Sequence, residues 1–541
     1  MTMKDLRIRR TLAPIALSAF MLGSAFFAGI ASGLAGTASG LYISLIAFTA
    51  VISSEVDGLK GHPYEGYDAV KSALVKSIYF VTDHTETDLY AHTFRDTAGL
   101  NAGLREASSA NTCGSGLVMH PENDQGMIDF TRGAFWLFGI DVISLYYFFF
   151  LLVGGSAVLF VWSHRRSYSA CVLLFACVCA IYAFMPSVVY ADPQLISVAN
   201  ARFLSTIAII PLFHILLFLV RPDFPIRWQD LIALIGQTAL LTFAYAIRNS
   251  TIWMTATVGL VFAVLIARPA LQAWRTRSLS LPVQAMTRCA VVMVFAATLF
   301  GISGFRSIYL TPSCGASLNS HPIWHNVFLG LSFNPEWGRF AADYDNASGD
   351  NLSFVAAKKY VEAHNMPYQT EPSIWVSTPQ TQSMTVEPMP FGSWLVYEKV
   401  LRAAAIEFAL RHPGYVLKTF FVYKPLLFFH TLEDAISLVW NDLTRPKIAV
   451  VAIMLVLLAG LQGRRHEADA VGYPLTTVLV IVSFIMSASP VFVAYPASFL
   501  VADQVYVAVA LLIFCAVWFL SSLFALRGPP ARRRNAVGKP A

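Results

Sequence analysis

The chain has 541 residues and a formal net charge of +6; 56% of the residues are hydrophobic and only 13% are charged, against about 25% charged in a soluble domain. With forty Phe, eleven Trp and a mean hydropathy of +0.59, this composition excludes a soluble enzyme, a disordered protein and a nucleic-acid binder held by a few anchors. Several stretches reach the ~20 apolar residues that an α-helix needs to cross a bilayer, so the sequence predicts an all-α polytopic membrane protein.

Residues 1–55 form the N-terminal end and the first transmembrane segment. Lys4, Arg7, Arg9 and Arg10 precede an apolar run, 11–54, long enough for one crossing with an extension or for two short ones. Further basic clusters beside apolar runs are Arg165 and Arg166; Arg221 and Arg227; Arg268, Arg275, Arg277 and Arg288; Arg464 and Arg465; Arg527 and Arg532 to Arg534. The positive-inside rule places all of them on the cytoplasmic side. A span at about 142–162 then runs outside to inside, which puts 56–140 outside and requires an odd number of crossings before it. One is the simplest.

The block 56–140 is the first extracytoplasmic loop, with eleven Asp or Glu against six Lys or Arg. It ends in a short amphipathic helix predicted at 127–138. Within 141–305 the spans after the first fall at about 168–187, 203–220, 230–247, 251–267 and 289–305. The block 306–446 is a large extracytoplasmic region rich in Pro, Trp, Tyr and His. In it YEKVLRAAAIEFALRHPGYVLKTFF reads as an amphipathic helix broken near Pro413, followed by an interfacial stretch. Spans at about 447–462, 473–490 and 505–525 fill 447–526, and 527–541 is a basic cytoplasmic tail. That makes about ten transmembrane helices with mixed extracytoplasmic loop regions and both termini cytoplasmic. Neither a repeat nor a low-complexity segment interrupts them.

Cys171, Cys177, Cys179, Cys289 and Cys515 lie in or beside apolar runs and read as small packing hydrophobes. Cys113 and Cys314 lie in the two external blocks and are candidates for a disulfide between them; two unpaired thiols fit the sequence equally well.

A transporter normally carries ionisable residues inside its spans. Here the predicted spans are almost free of charge: His214 stands alone in PLFHILLFLV, and Asp141 and Asp503 sit at span edges within reach of water. The polar chemistry gathers in the external blocks, which favours a membrane-bound enzyme. Glu122 and Asp124 come just before the juxtamembrane helix, where a carboxylate can deprotonate a hydroxyl or hold a divalent cation such as Mg²⁺ or Mn²⁺. The same residues also suit a helix N-terminus capped by Asn123 or Asp124. Arg132, Arg202, Arg248, Arg306, Lys418 and Lys424 are the external or edge cations available to a phosphate. His321 and His325, four residues apart, suit hydrogen bonding to sugar hydroxyls or phosphate. Pro322 and the absence of a third ligand argue against zinc. Asp343, Asp345 and Asp350 lack the terminal Glu of a calcium loop and read as a solvated turn.

A long first external loop, the acids of END at 122–124 ahead of a juxtamembrane helix and span, and less distinctly RHPGYVLKTFF at 411–421, resemble the GT-C superfamily of glycosyltransferases. These are integral membrane enzymes that take sugars from polyprenyl-phosphate or related lipid donors. The resemblance implies that Asp124, with Glu122 as deputy, serves as general base or metal ligand, and that Asp192 of the second external loop is a candidate further carboxylate. The acids come late in the loop rather than soon after the first span, which leaves Glu55, Asp57, Glu65 and Asp68 as rivals. Arg202, Arg248, His321, His325 and Arg132 would bind the substrate.

The expected function is transfer of a sugar from a polyprenyl-phosphate-linked donor to an envelope glycan, lipid or protein acceptor. The site would lie on the periplasmic side of a bacterial-type inner membrane, with no nucleic-acid partner. Two alternatives stand beside it: a transporter or flippase of lipid-linked sugars, and a non-catalytic envelope assembly factor.

Overall fold

Long apolar runs become helices throughout the computed structural model, which describes residues 3–35, 125–139, 143–184, 204–221, 227–248, 251–276, 283–309, 323–367, 374–377, 384–387, 394–442, 445–462, 472–493 and 502–526. The bundle is built from α1 (Met3–Ala35), α2 (Gln125–Phe138), α3 (Ile143–His164), α4 (Tyr168–Phe184), α5 (Ile209–Val220, entered through a 3₁₀ turn at Ser205–Ala208), α6 (Trp228–Ile247), α7 (Ile252–Arg275) and α8 (Val283–Tyr309). A smaller unit follows, with α9 (Ile323–Leu329), short turns over 335–344, α10 (Asp350–Ala363), a two-stranded ribbon of β1 (Ile374–Ser377) and β2 (Met384–Glu387), and α11 (Trp394–Arg411). The chain returns through α12 (Pro413–Lys418), a π-helical turn (Thr419–Tyr423) and α13 (Lys424–Asp442). It ends with α14 (Arg445–Gln462), α15 (Tyr473–Ser487), α16 (Ser489–Val493) and α17 (Ala502–Leu526).

Among the described residues, five helices are long and apolar enough to cross a membrane: Ile143–His164, Trp228–Ile247, Ile252–Ala273, Val283–Gly304 and Asp503–Leu523. Shorter apolar helices occupy Thr11–Phe27, Tyr168–Ala183, Ser205–Val220 and Tyr473–Ser487. The chain is therefore a helical, membrane-embedded protein. The described parts of the predicted apolar stretches fall on helices, residues 36–54 of the first run lie outside the described residues, and the juxtamembrane helix expected at 127–138 is α2.

The organisation of the bundle follows from side-chain polarity. Every residue of α5 is buried, as expected of a helix that is hydrophobic all round, and α5 packs against α3, α4, α6, α7 and α15. At the rim, α7 and α8 bury only 24% and 17% of their most apolar windows, so most of their surface faces lipid. Polar groups tie distant segments together: Tyr168 Oη donates to the Leu458 carbonyl (3.0 Å), and Tyr506 Oη to that of Cys177 (2.9 Å). Cys171, Cys177 and Cys179 are buried, as their apolar setting predicts.

The head between α9 and α12 has its own core around Phe328, Leu352, Tyr397, Leu401, Phe408 and Tyr415. Glu398 caps α9 by accepting from the backbone N–H groups of Trp324 (2.8 Å) and His325 (3.0 Å). Burial raises its pKa and those two hydrogen bonds oppose the rise. Trp337 stacks on Tyr344 with ring centroids 5.5 Å apart, and burial pushes the Tyr344 hydroxyl up to about 12. The helix break expected near Pro413 falls at His412 (φ −129°, ψ 54°), with Pro413 opening α12, where its missing N–H costs nothing. The Asp343–Asp350 segment is a turn: Asp345 and Asn346 adopt positive φ of 56° and 54°, and Asp345 pairs with Lys359.

Candidate functional site

One end of the bundle gathers the start of the 3₁₀ turn before α5, the end of α6, and the starts of α7 and α17. Asp503 lies in the first turn of α17, where the helix dipole favours a carboxylate. Its Oδ1 accepts from Ser205 Oγ and its Oδ2 accepts from Trp253 Nε1 at 3.4 Å. Asp503, Ser205 and Trp253 are 5%, 1% and 1% exposed, which corrects the expectation that water reaches Asp503. Arg248 ends α6 and is close enough for its charge to act on the Asp503 carboxylate. A tight turn positions that arginine: Thr251 Oγ1 (2.8 Å) and Thr251 N–H (3.0 Å) both donate to the Arg248 carbonyl. Beside them, Gln504 Nε2 donates to the Ser487 carbonyl and locks α17 to α15.

The juxtamembrane helix docks on this same end. Gly126, in the first turn of α2, lies so close to α6 that an added Cβ would overlap the backbone of Ala246 and Ile247, the two residues before Arg248. Phe130 and Ala134 are fully buried beneath α2, and the Phe130 ring meets Phe148 at 5.2 Å. Gln125, at which α2 starts, directly follows Asp124 in the sequence.

A second polar cluster runs from the middle of α3, α5 and α6 towards the opposite end, where α3 and α5 finish and α6 starts. Ser156 Oγ donates to Gln237 Oε1 (2.8 Å), and Gln237 Nε2 donates to the Ser156 carbonyl (2.8 Å) and meets His214 Nδ1 at 3.0 Å. The Ser156 carbonyl can only accept, so it orients the amide with its nitrogen as the donor facing His214. Nδ1 of His214 is then the acceptor and the ring carries its proton on Nε2. The His164 and His214 rings are 4.9 Å apart at 69°, and Nε2 of each is buried without a hydrogen-bond partner. Arg221 and Asp230, 3.7 Å apart, close this seam towards the surface. His214 is therefore one member of an interhelical network, which corrects its reading as an isolated residue.

Of the residues expected to form the site, Asp124, Glu122, Asp192, Arg202 and His321 lie outside the described residues, as do Asp141 and the proposed Cys113–Cys314 disulfide. Arg132 lies in α2. Arg248 lies at the Asp503 end of the bundle. His325 is 7% exposed, with Nδ1 2.7 Å from Tyr397 Oη and its carbonyl accepting from Ser353 Oγ at 2.9 Å. Its ring is engaged inside the head core, against Tyr397 and Phe354. Among the described residues, no three His, Cys, Asp or Glu side chains converge to hold a metal ion.

Sequence reasoning passed over Asp503, Ser205, Trp253, His164 and Gln237. One signal was available for Gln237: it stands seven residues from Asp230, as His214 does from Arg221, so each pair lies on one helix face.

Fold and site together define a helical membrane protein with two buried polar clusters at opposite ends of its bundle, one of which receives the juxtamembrane helix. The chain matches no family model, no curated protein and no solved structure.

Proposed function

We propose that the chain is a GT-C-like glycosyltransferase that moves a sugar from a polyprenyl-phosphate-linked donor to an envelope acceptor on the periplasmic side of the inner membrane. It would cross the membrane ten times with both termini cytoplasmic. The observation that carries this reading is the docking of α2, the helix directly following Glu122 and Asp124, against the last residues of α6 beside Arg248. The helix that follows these acids in sequence and a cation near a buried carboxylate thus share one bundle end. The alternation of helices supports the same reading: Arg248, Ser205, Trp253 and Asp503, which charge parity assigns to one side, converge, as do His164, Arg221 and Asp230 on the other.

In the reaction, the acceptor hydroxyl gives its proton to Asp124 while its oxygen bonds to the anomeric carbon. The bond from that carbon to the phosphate oxygen breaks, and the departing phosphate takes the electron pair towards Arg248. Asp503, held by Ser205 and Trp253, sets its charge near Arg248. Inversion at the anomeric carbon follows from the resemblance. No step is routed through a metal ion.

A second reading, a carrier of lipid-linked sugars, draws on the His164–His214–Gln237 network, since polar groups inside spans mark transport pathways. Envelope glycans and glycolipids compared in cells lacking the gene, restored with wild type, and restored with Asp124→Asn or Gln237→Leu separate the two. A transferase loses its product with Asp124→Asn at unchanged expression, whereas a carrier loses function with Gln237→Leu and tolerates Asp124→Asn. Full function in both variants removes both readings and leaves an assembly factor.

A further inference from the structure

The segment that leads from the head back to the bundle exposes a run of large apolar side chains. Leu417, Phe421, Val422, Leu426 and Phe429 are 48% to 76% exposed, on α12, the π-helical turn and the start of α13. A water-facing surface seldom leaves so many large apolar groups together. The π-helical turn between α12 and α13 is a device that recurs at functional positions. Here it accompanies a groove of about 360 Å³ lined by Val416, Leu417, Phe420, Phe421, Pro425 and Phe492.

We propose that this groove seats one acyl chain of a membrane phospholipid, and that residues 413–429 lie in the leaflet at the Asp503 end of the bundle. All six lining side chains are apolar, so a peptide or a sugar would leave its hydrogen-bonding groups unmatched there. An alkyl chain has none to match. The groove is also continuous with the membrane part of the fold. Phe492 belongs to α16, which directly follows the apolar helix α15, and α13 runs into α14, whose Ile453, Val456 and Leu457 are exposed. The buried ammonium of Lys424 fastens the two walls: it donates to the Phe492 carbonyl at 2.9 Å and lies 4.1 Å from the Phe420 ring centroid. Arg411 and Lys418 pair with Glu407 and Glu336 but keep 70% and 59% of their side chains exposed, so they still present basic charge at the surface beside the groove, as long basic side chains do near headgroups. The proposal requires the membrane but not the transferase reading.

The test uses the full chain in nanodiscs of phosphatidylcholine carrying a diazirine in one acyl chain, with photo-adducts mapped by mass spectrometry. Adducts on the 416–425 segment are expected, with adducts on α14 as the lipid-facing control, and Val416→Trp should reduce the former severalfold while sparing the latter. Labelling of α14 without labelling of 416–425 overturns the proposal, and so does labelling of 416–425 that Val416→Trp leaves unchanged. Displacement by added polyprenyl phosphate, but not by unlabelled phosphatidylcholine, overturns the assignment to a phospholipid. Should Val416→Trp fail to fold, the wild-type arms decide alone, and none of the outcomes depends on sugar transfer.

Discussion

Ser205 and Asp503 are 298 positions apart in sequence and joined by a direct buried hydrogen bond. That bond fastens the entry of the central helix α5 to the start of the last helix, α17. Trp253 adds the entry of α7 to the same carboxylate, so one side chain organises three helix starts beside Arg248.

Asp503→Ala is expected to destabilise the bundle by about 1–3 kcal/mol, the cost of leaving buried donors unpaired. Asp503→Asn should cost less than Asp503→Ala, because an amide oxygen can still accept from the Trp253 indole N–H while the amide N–H donates to Ser205 Oγ, and Ser205→Ala should cost about 1 kcal/mol. Thermal unfolding in detergent micelles measures the series. Equal stability of Asp503→Ala and wild type would remove the cluster as an organising element.

Gly126→Val should lift the first turn of α2 from Ala246 and Ile247, because a Cβ at this position meets backbone, which cannot swing aside. Sugar transfer is expected to fall sharply while the bundle still forms. Protease nicking of the 56–140 block, followed alongside a product assay, separates local undocking from misfolding.

In a double-mutant cycle, Gln237→Leu and His214→Phe should show a coupling of about 0.6–1.7 kcal/mol, the range found for hydrogen bonds between membrane helices. Additive effects would mean that the 3.0 Å contact between these side chains contributes nothing to stability.

Burial lowers the Lys424 ammonium from 10.5 to about 7. Between those values the unfolded chain binds the proton more fully than the folded one, so stability should increase as the pH is raised from 7 towards 10.5. The gain is about 1 kcal/mol per pH unit at most. Lys424→Met should be more stable than wild type at pH 7, and the difference should shrink by pH 9. Melting curves of both proteins across that range report it, and parallel curves would contradict the burial of a charged Lys424.

Much of the helical frame was legible in the sequence, because each element announces itself locally. The apolar stretch 143–164 ends at SHRRS, the helix break falls at His412 before Pro413, and the amphipathic helix ahead of the second apolar run is α2. A side chain needs only its own neighbours to show such patterns. The site was less legible. Arg248 was singled out for its place at a helix edge, and it does end α6, yet the carboxylate near it was read as an exposed edge residue. His325 was chosen for its chemistry and its spacing, and it is spent on Tyr397 and the head core.

What the sequence by itself determined is a membrane-embedded helical chain, the position of its apolar helices, and the polar block that forms the head. Those follow from the free energy of moving apolar groups and unpaired backbone out of water, which acts on each segment separately. Only the tertiary structure decided that Asp503 is buried between Ser205 and Trp253, that His214 meets His164 and Gln237, and that α2 sits on the end of α6. These depend on which helices are neighbours, and neighbours are chosen by close packing and hydrogen-bond matching between segments hundreds of residues apart, which no local pattern records.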